Sequence, residues 1–162
     1  MPLPLVAVPE EVRRAIEPFV PGLPWEDIEL HFQRVPQALS PTALVLVAPP
    51  DMPAALFAAA MAIGTDVYID PTFVDFQSAA GVALVVHEMV HVAQYLANPD
   101  SFLAEYNRAN QDVPDGQPWL NPYEWEAYST ETVAYCAMVA SGVPPGSWVP
   151  TGLALGLWRC PI

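Results

Sequence analysis

The stretch Val82-Ala83-Leu84-Val85-Val86-His87-Glu88-Met89-Val90-His91 decides how this chain is read. An apolar run leads straight into two histidines and one glutamate. The spacing predicts a helix from about Ser78 to Ala97, with Asn98-Pro99 as its stop signal. Its interior is almost wholly apolar, so it is expected as a buried central helix rather than a surface one. His87 and His91 stand four apart, which puts both rings on one face with Cβ atoms roughly 5–6 Å apart. Two imidazole nitrogens in that relation can reach one metal ion. Glu88 lies beside the pair and can take a proton from a water held there.

A bare His-Glu-x-x-His arises by chance, but the context here strengthens it. Glu88 is the one charged residue within the apolar helix, and His87 and His91 are two of only three histidines in the chain. Burying such a group without a partner would be costly. The competing reading is two core histidines bonded to backbone carbonyls, with no metal.

A zinc site of this kind needs a third protein ligand. Downstream, Asn121-Pro122 gives a capping residue and a first-turn proline for a second helix, running to about Ala140 with Gly142 beyond. It carries Glu124, Glu126 and Glu131. Glu124, Tyr128 and Glu131 share a face by their spacing, while Glu126 points roughly away. One of these carboxylates is expected to complete the site; a solvated helix face is the favoured reading for Glu126 but not for Glu124. For an oxyanion donor, Tyr128 has the best helical phase with Glu124; Tyr95, Tyr135 and His31 are further candidates. Gln94, three residues after His91, is either a support for the site or a packing residue.

Upstream, Pro9-Glu10-Glu11 opens a short helix that Pro18 closes, and Ile28 to Gln33 alternates as a half-exposed strand. Ala43 to Ala48 reads as another strand, Met52 to Ile63 as a helix capped by Asp51 and ended by Gly64, and Asp66 to Asp70 as a strand. A short helix is expected over Asp100 to Arg108 and a loop over Asn110 to Leu120. The fold class is α+β: a small, mainly antiparallel sheet packed on the central helix, with the glutamate-bearing helix alongside.

The 162 residues suffice for one domain with a real core. Hydrophobic residues make up 53 % and mean hydropathy is +0.28, which argues against general disorder. No apolar run approaches the roughly 18 residues of a membrane helix; Ala54 to Ile63 comes closest. The N-terminus has no basic, apolar leader, so the expected location is the cytoplasm, or outside it by a leaderless route. Net charge is −13, with five basic residues. That disfavours nucleic acid and anionic membranes as partners. Cys136 reads as a buried thiol, and Cys160 has no evident place.

His87-Glu88-Met89-Val90-His91 with Ala93-Gln94, Asp66-Val67-Tyr68-Ile69-Asp70-Pro71 before it and Asn121-Pro122-Tyr123-Glu124-Trp125-Glu126-Ala127-Tyr128 after it resembles the short bacterial gluzincin-like HExxH domains. These are often encoded near contractile injection systems. The pattern is also similar to minimal soluble gluzincins and to the core of the CAAX prenyl peptidases, and it covers about Ile28 to Ala140. The resemblance implies a zincin-like catalytic domain over residues 1–142, with a Pro/Gly-rich tail, 143–162, packing on or near it. It implies a zinc metallopeptidase with His87, His91 and Glu124 as ligands, Zn2+ as cofactor, Glu88 as general base and a peptide as substrate. In the prenyl peptidases an aspartate follows the alanine and supports a zinc histidine; here Tyr128 stands in that place. The resemblance also implies that an edge strand, Asp66 to Asp70, pairs with extended substrate. The alternative is a non-catalytic or latent zinc-binding interaction module, with Cys160 or a loop carboxylate filling the position that a peptidase leaves to water.

Overall fold

The computed structural model describes residues 6–32, 60–71 and 74–161. The expected strand Ala43 to Ala48 lies outside them, as does most of the expected helix Met52 to Ile63. The architecture is α+β. Strand β1 (Val6–Ala7) leads into helix α1 (Glu10–Ile16), which starts after Pro9 and buries Val12 and Ile16. Strand β2 spans Glu29–Phe32, β3 Ala60–Ile63 and β4 Asp66–Ile69. The sheet order is β1-β2-β4-β3. It is mixed: two of its three pairings are antiparallel, as expected, while the central pair β2 and β4 runs parallel, with Leu30 opposite Val67. Leu30, Val67 and Ile69 are fully buried on one face, each worth about 1.5–3 kcal/mol of transfer from water.

Two expectations change here. Ala60–Ile63 is a strand and not the end of a helix. It forms a hairpin with β4 around Gly64-Thr65, and Gly64 takes a positive φ of 64°. A glycine two residues from the next strand suits a tight hairpin as well as a helix stop. As a result β4 is not an edge strand. Hydrogen bonds from β2 and β3 fill both of its sides, and β3 is the edge beside the central helix among the described residues.

Helix α2 (Ala79–Ala97) packs against this sheet. Its first turn is well satisfied. Ser78 Oγ accepts from the Gly81 N–H at 3.1 Å. The N–H groups of Ala79 and Ala80 donate to the carbonyls of Pro144 and Pro145, at 2.8 and 3.0 Å. These bonds use donors that a helix start leaves without intrahelical partners. By length and composition α2 could cross a membrane, yet 72 % of that window is buried inside the protein. Helix α3 (Phe102–Gln111) follows and buries none of its residues fully. Helix α4 (Pro122–Ala140) starts as expected: Asn121 accepts from the Tyr123 N–H at 3.0 Å, with Pro122 in the first turn. It packs along α2 and forms the principal helix pair.

The tail is built onto the outer side of α4. Helix α5 (Thr151–Ala154) and the residues after it return to that helix. Trp158 lies against Trp125, with ring centroids 4.5 Å apart. A Cβ on Gly152 would sit 2.2 Å from the Trp158 ring, so only glycine fits there. Cys136 is not a free thiol: it forms a disulfide with Cys160. The pairing joins positions 24 apart in sequence, and only the returning tail brings them together. Cys160 therefore offers no thiolate to a metal.

Candidate metal centre

The α2–α4 seam should be apolar by the logic of helix packing. At its middle it holds His87, Glu88, Glu124 and Glu131 instead, all at most 3 % exposed, with His91 at 9 %. The two imidazoles meet edge to face, 5.0 Å between centroids. Their Nε2 atoms stand 3.2 Å apart. Glu124 Oε2 is 3.2 Å from His87 Nε2, and Glu124 Oε1 is 3.4 Å from His91 Nε2. Two donors bound to one tetrahedral zinc at about 2.1 Å stand about 3.4 Å apart. The three side chains thus already hold the mutual spacing of a metal's ligands, and this group could hold a metal ion.

Hydrogen bonding points the same way. Among the described residues no hydrogen bond of good geometry reaches Glu124 Oε2, despite the nearness of His87 Nε2, and none reaches Glu88 Oε1. Buried carboxylate oxygens without partners are rare and call for an explanation. An ion among these atoms supplies one. Electrostatics agree. Burial alone would raise Glu124, but His91 and His87 outweigh it and hold that carboxyl well below the usual carboxylate range. Burial would lower His87; Glu124 and Glu131 outweigh it and raise the ring well above its usual value. His91 is raised on the same balance, with Glu124 the main opposing cause. Burial raises Glu88, only partly offset by the two histidines and by the Ala62 backbone N–H.

Each ring is gripped from behind as well. His87 Nδ1 is 3.0 Å from Glu131 Oε2. His91 Nδ1 is 2.9 Å from Gln94 Oε1. The Gln94 amide group donates to the Tyr123 carbonyl at 3.0 Å and to Glu126 Oε2 at 2.8 Å. Glu126, the competing ligand on paper, is thus exposed and tied to Gln94, away from the imidazole nitrogens.

The cluster opens onto a cleft between β3, α2 and α3. Met61, Ala62, Phe102 and Leu103 form its apolar walls; Glu88, His91, Glu124 and Tyr106 are its polar side chains. No described residue of the tail lines it. The Tyr106 hydroxyl donates to Glu124 Oε1. Burial and Glu124 together keep that phenol protonated far above its usual range. Tyr128 takes a different place. It packs edge to face on the His87 ring, centroids 4.6 Å apart, and is not a wall of the cleft. Tyr135 is buried in the core. Tyr95 packs beside Gly64. His31 pairs with Asp66 at 2.7 Å and stacks on Tyr68. With Glu29 these form a second group of possible metal ligands, but a more exposed one.

Tyr106 was invisible to the helix-phase argument because it comes from α3, whose relation to α4 only the fold supplies. A signal did exist: Phe102 and Tyr106 are four apart and form one aromatic face of that helix.

A family described as the eCIS core domain matches residues 47–99 of the chain. That stretch is less than half of the sequence; it includes His87, Glu88 and His91 and ends before Glu124. No curated protein and no solved structure matches the chain. Over residues 47–99 the chain is similar to the eCIS core domain, and the seam of its two long helices carries a His-His-Glu group able to hold a metal ion.

Proposed function

We propose that this chain is a zincin-like zinc peptidase, with His87, His91 and Glu124 as the metal ligands. One observation carries the reading. Three donor side chains already stand at ligand spacing, and an unpartnered carboxylate oxygen of Glu88 lies beside them at the floor of a cleft. The donor set, two imidazoles and one carboxylate, is that of catalytic rather than closed structural zinc sites. Bound zinc would polarise a substrate carbonyl and make water acidic enough to lose a proton near neutral pH.

The chain's own residues supply the rest. Glu88 accepts that proton and later returns it to the leaving amine. Its burial favours this, because a carboxyl raised above its usual range both takes and holds a proton more readily. Among the described residues β3 is the edge strand, next to Glu88 through Ala62, and its outer backbone groups would pair with an extended peptide. The Tyr106 hydroxyl stands in the cleft and donates its one hydrogen to Glu124; with that carboxylate taken up by zinc, the hydroxyl would be free to turn toward developing negative charge on substrate. The proposed partner is accordingly a peptide or protein.

The test combines metal analysis with turnover. The purified chain is expected to hold one zinc per molecule and to cleave members of a mixed peptide library. Glu88→Gln should keep the zinc and lower the rate by about 100- to 10,000-fold. Equal cleavage by both proteins would overturn the catalytic reading. Stoichiometric zinc with no cleavage by either would leave the non-catalytic zinc module as the function.

A further inference from the structure

The resemblance leaves one question open, because Tyr128 stands where an orienting carboxylate is expected. Tyr128 meets the His87 ring only through its own ring. The structure shows two other groups at the far nitrogens of the ligand imidazoles. Glu131, seven residues after Glu124 on the same face of α4, reaches His87 Nδ1 at 3.0 Å and is 3 % exposed. One helix therefore touches both nitrogens of His87, Glu124 at Nε2 and Glu131 at Nδ1. Gln94, from α2 itself, reaches His91 Nδ1 at 2.9 Å.

The tautomers follow from the acceptors. A carboxylate accepts, so the neutral ring that binds a metal carries its one hydrogen at His87 Nδ1 and leaves its lone pair at Nε2. The Gln94 amide nitrogen is used up by two acceptors, Tyr123 O and Glu126 Oε2. Its oxygen is left for His91, which must also donate from Nδ1. Both Nε2 lone pairs then face the same point.

We propose that Glu131 and Gln94 are positioning residues that fix the two imidazoles for metal binding, and that they do so unequally. His87 has an anionic partner and is the stronger donor; His91 has a neutral one. The site thus has a charged anchor in the core and an adjustable arm toward solvent. This inference rests on the zinc reading above.

The experiment measures zinc affinity by competition with a chromogenic chelator, alongside the melting temperature of each metal-free protein and the visible spectrum of the cobalt(II) form. Glu131→Gln keeps the shape and removes the charge; it should weaken zinc binding about 10- to 100-fold and shift the cobalt spectrum. Gln94→Ala, nearer the surface and independent of the core, should weaken it less. A merely structural Glu131 would lower the melting temperatures of metal-free and zinc-bound protein equally, with affinity unchanged. That result, or a larger loss from Gln94→Ala, overturns the proposal. If Glu131→Gln does not fold, a cobalt spectrum and affinity unmoved by Gln94→Ala overturn it, while a weakened affinity with an altered spectrum supports it. A wild-type protein that takes up no zinc overturns this inference and the reading beneath it together. Zinc uptake with unaltered variants removes this inference alone.

Discussion

Helix α4 has two faces that are both covered, and they are covered by opposite means. Glu124, Tyr128 and Glu131 turn inward to α2, where polar atoms converge and two carboxylate oxygens of the cluster lack hydrogen bonds. Trp125, Thr132 and Cys136 lie along the other face, where the tail is held by a ring contact, a close-packed glycine and a covalent bond. The inner face is arranged for something exchangeable; the outer face is fastened permanently. A helix covered on both sides has no clear apolar stripe, so its hydropathy alone does not tell which face is which.

The sharpest way to break this comparison is at the inner face. Glu124→Gln should weaken zinc binding by more than about 100-fold, beyond what loss of an orienting partner costs. Glu126→Gln, on the exposed side, should leave zinc bound nearly as tightly; equilibrium titration of both decides which glutamate is the ligand. Next comes removal of the metal. Free zinc at about 1,000 times its dissociation constant should add about 4 kcal/mol to stability. Chelation should therefore lower Tm by roughly 10 °C at this chain length, measured by calorimetry.

The outer face predicts a smaller effect of another kind. Replacing Cys160 by Ser should cost about 3 kcal/mol through the loop the disulfide closes. Denaturant unfolding reads that loss. Zinc affinity should not change, and if it did, the two faces would not be independent. The smallest effect concerns pH in the metal-free protein. Glu124, lowered from 4.5, contributes stability above that pH and loses it as acid carries the pH down through its lowered value. His87 and His91, raised from 6.5, contribute fully below that pH and lose their contribution as pH rises through their raised values. Glu88, raised from 4.5, subtracts from stability as pH climbs above that value. Melting in chelator should thus move to lower temperature as pH rises past about 6.5, and zinc should cancel the trend.

Much of the inner face was legible in the sequence. Ser78, Asn98, Asn121 and Pro122 mark helix ends by local bonding chemistry, and local chemistry is what a sequence shows directly. His87, Glu88 and His91 follow from helical phase; on the next helix phase gives Glu124 and Glu131 together, and the Glu-x-x-Ala resemblance picks Glu124. The rest needed the fold. Alanine-rich Ala60–Ile63 carries no strong strand preference, and its partner β4 decides it. Among the described residues the edge role moves from β4 to β3, because strand order is a property of the sheet and not of any one segment. Glu131 and Tyr106 act across element boundaries, and two cysteines 24 residues apart do not announce that the chain between them turns back.

One missing carbon governs how α2 is clocked. At Gly81 a Cβ would fall 1.9 Å from the carbonyl oxygen of Asp75, so the preceding turn nests directly on the helix barrel. A helix turns about 100° per residue, and whatever fixes its first turn fixes every later azimuth. His87 lies six residues on, and its bearing toward Glu124 is inherited from that contact. A methyl group at position 81 would force the rod to roll or the turn to lift, and a roll would carry His87 and His91 away from Glu124 without any of the three being touched.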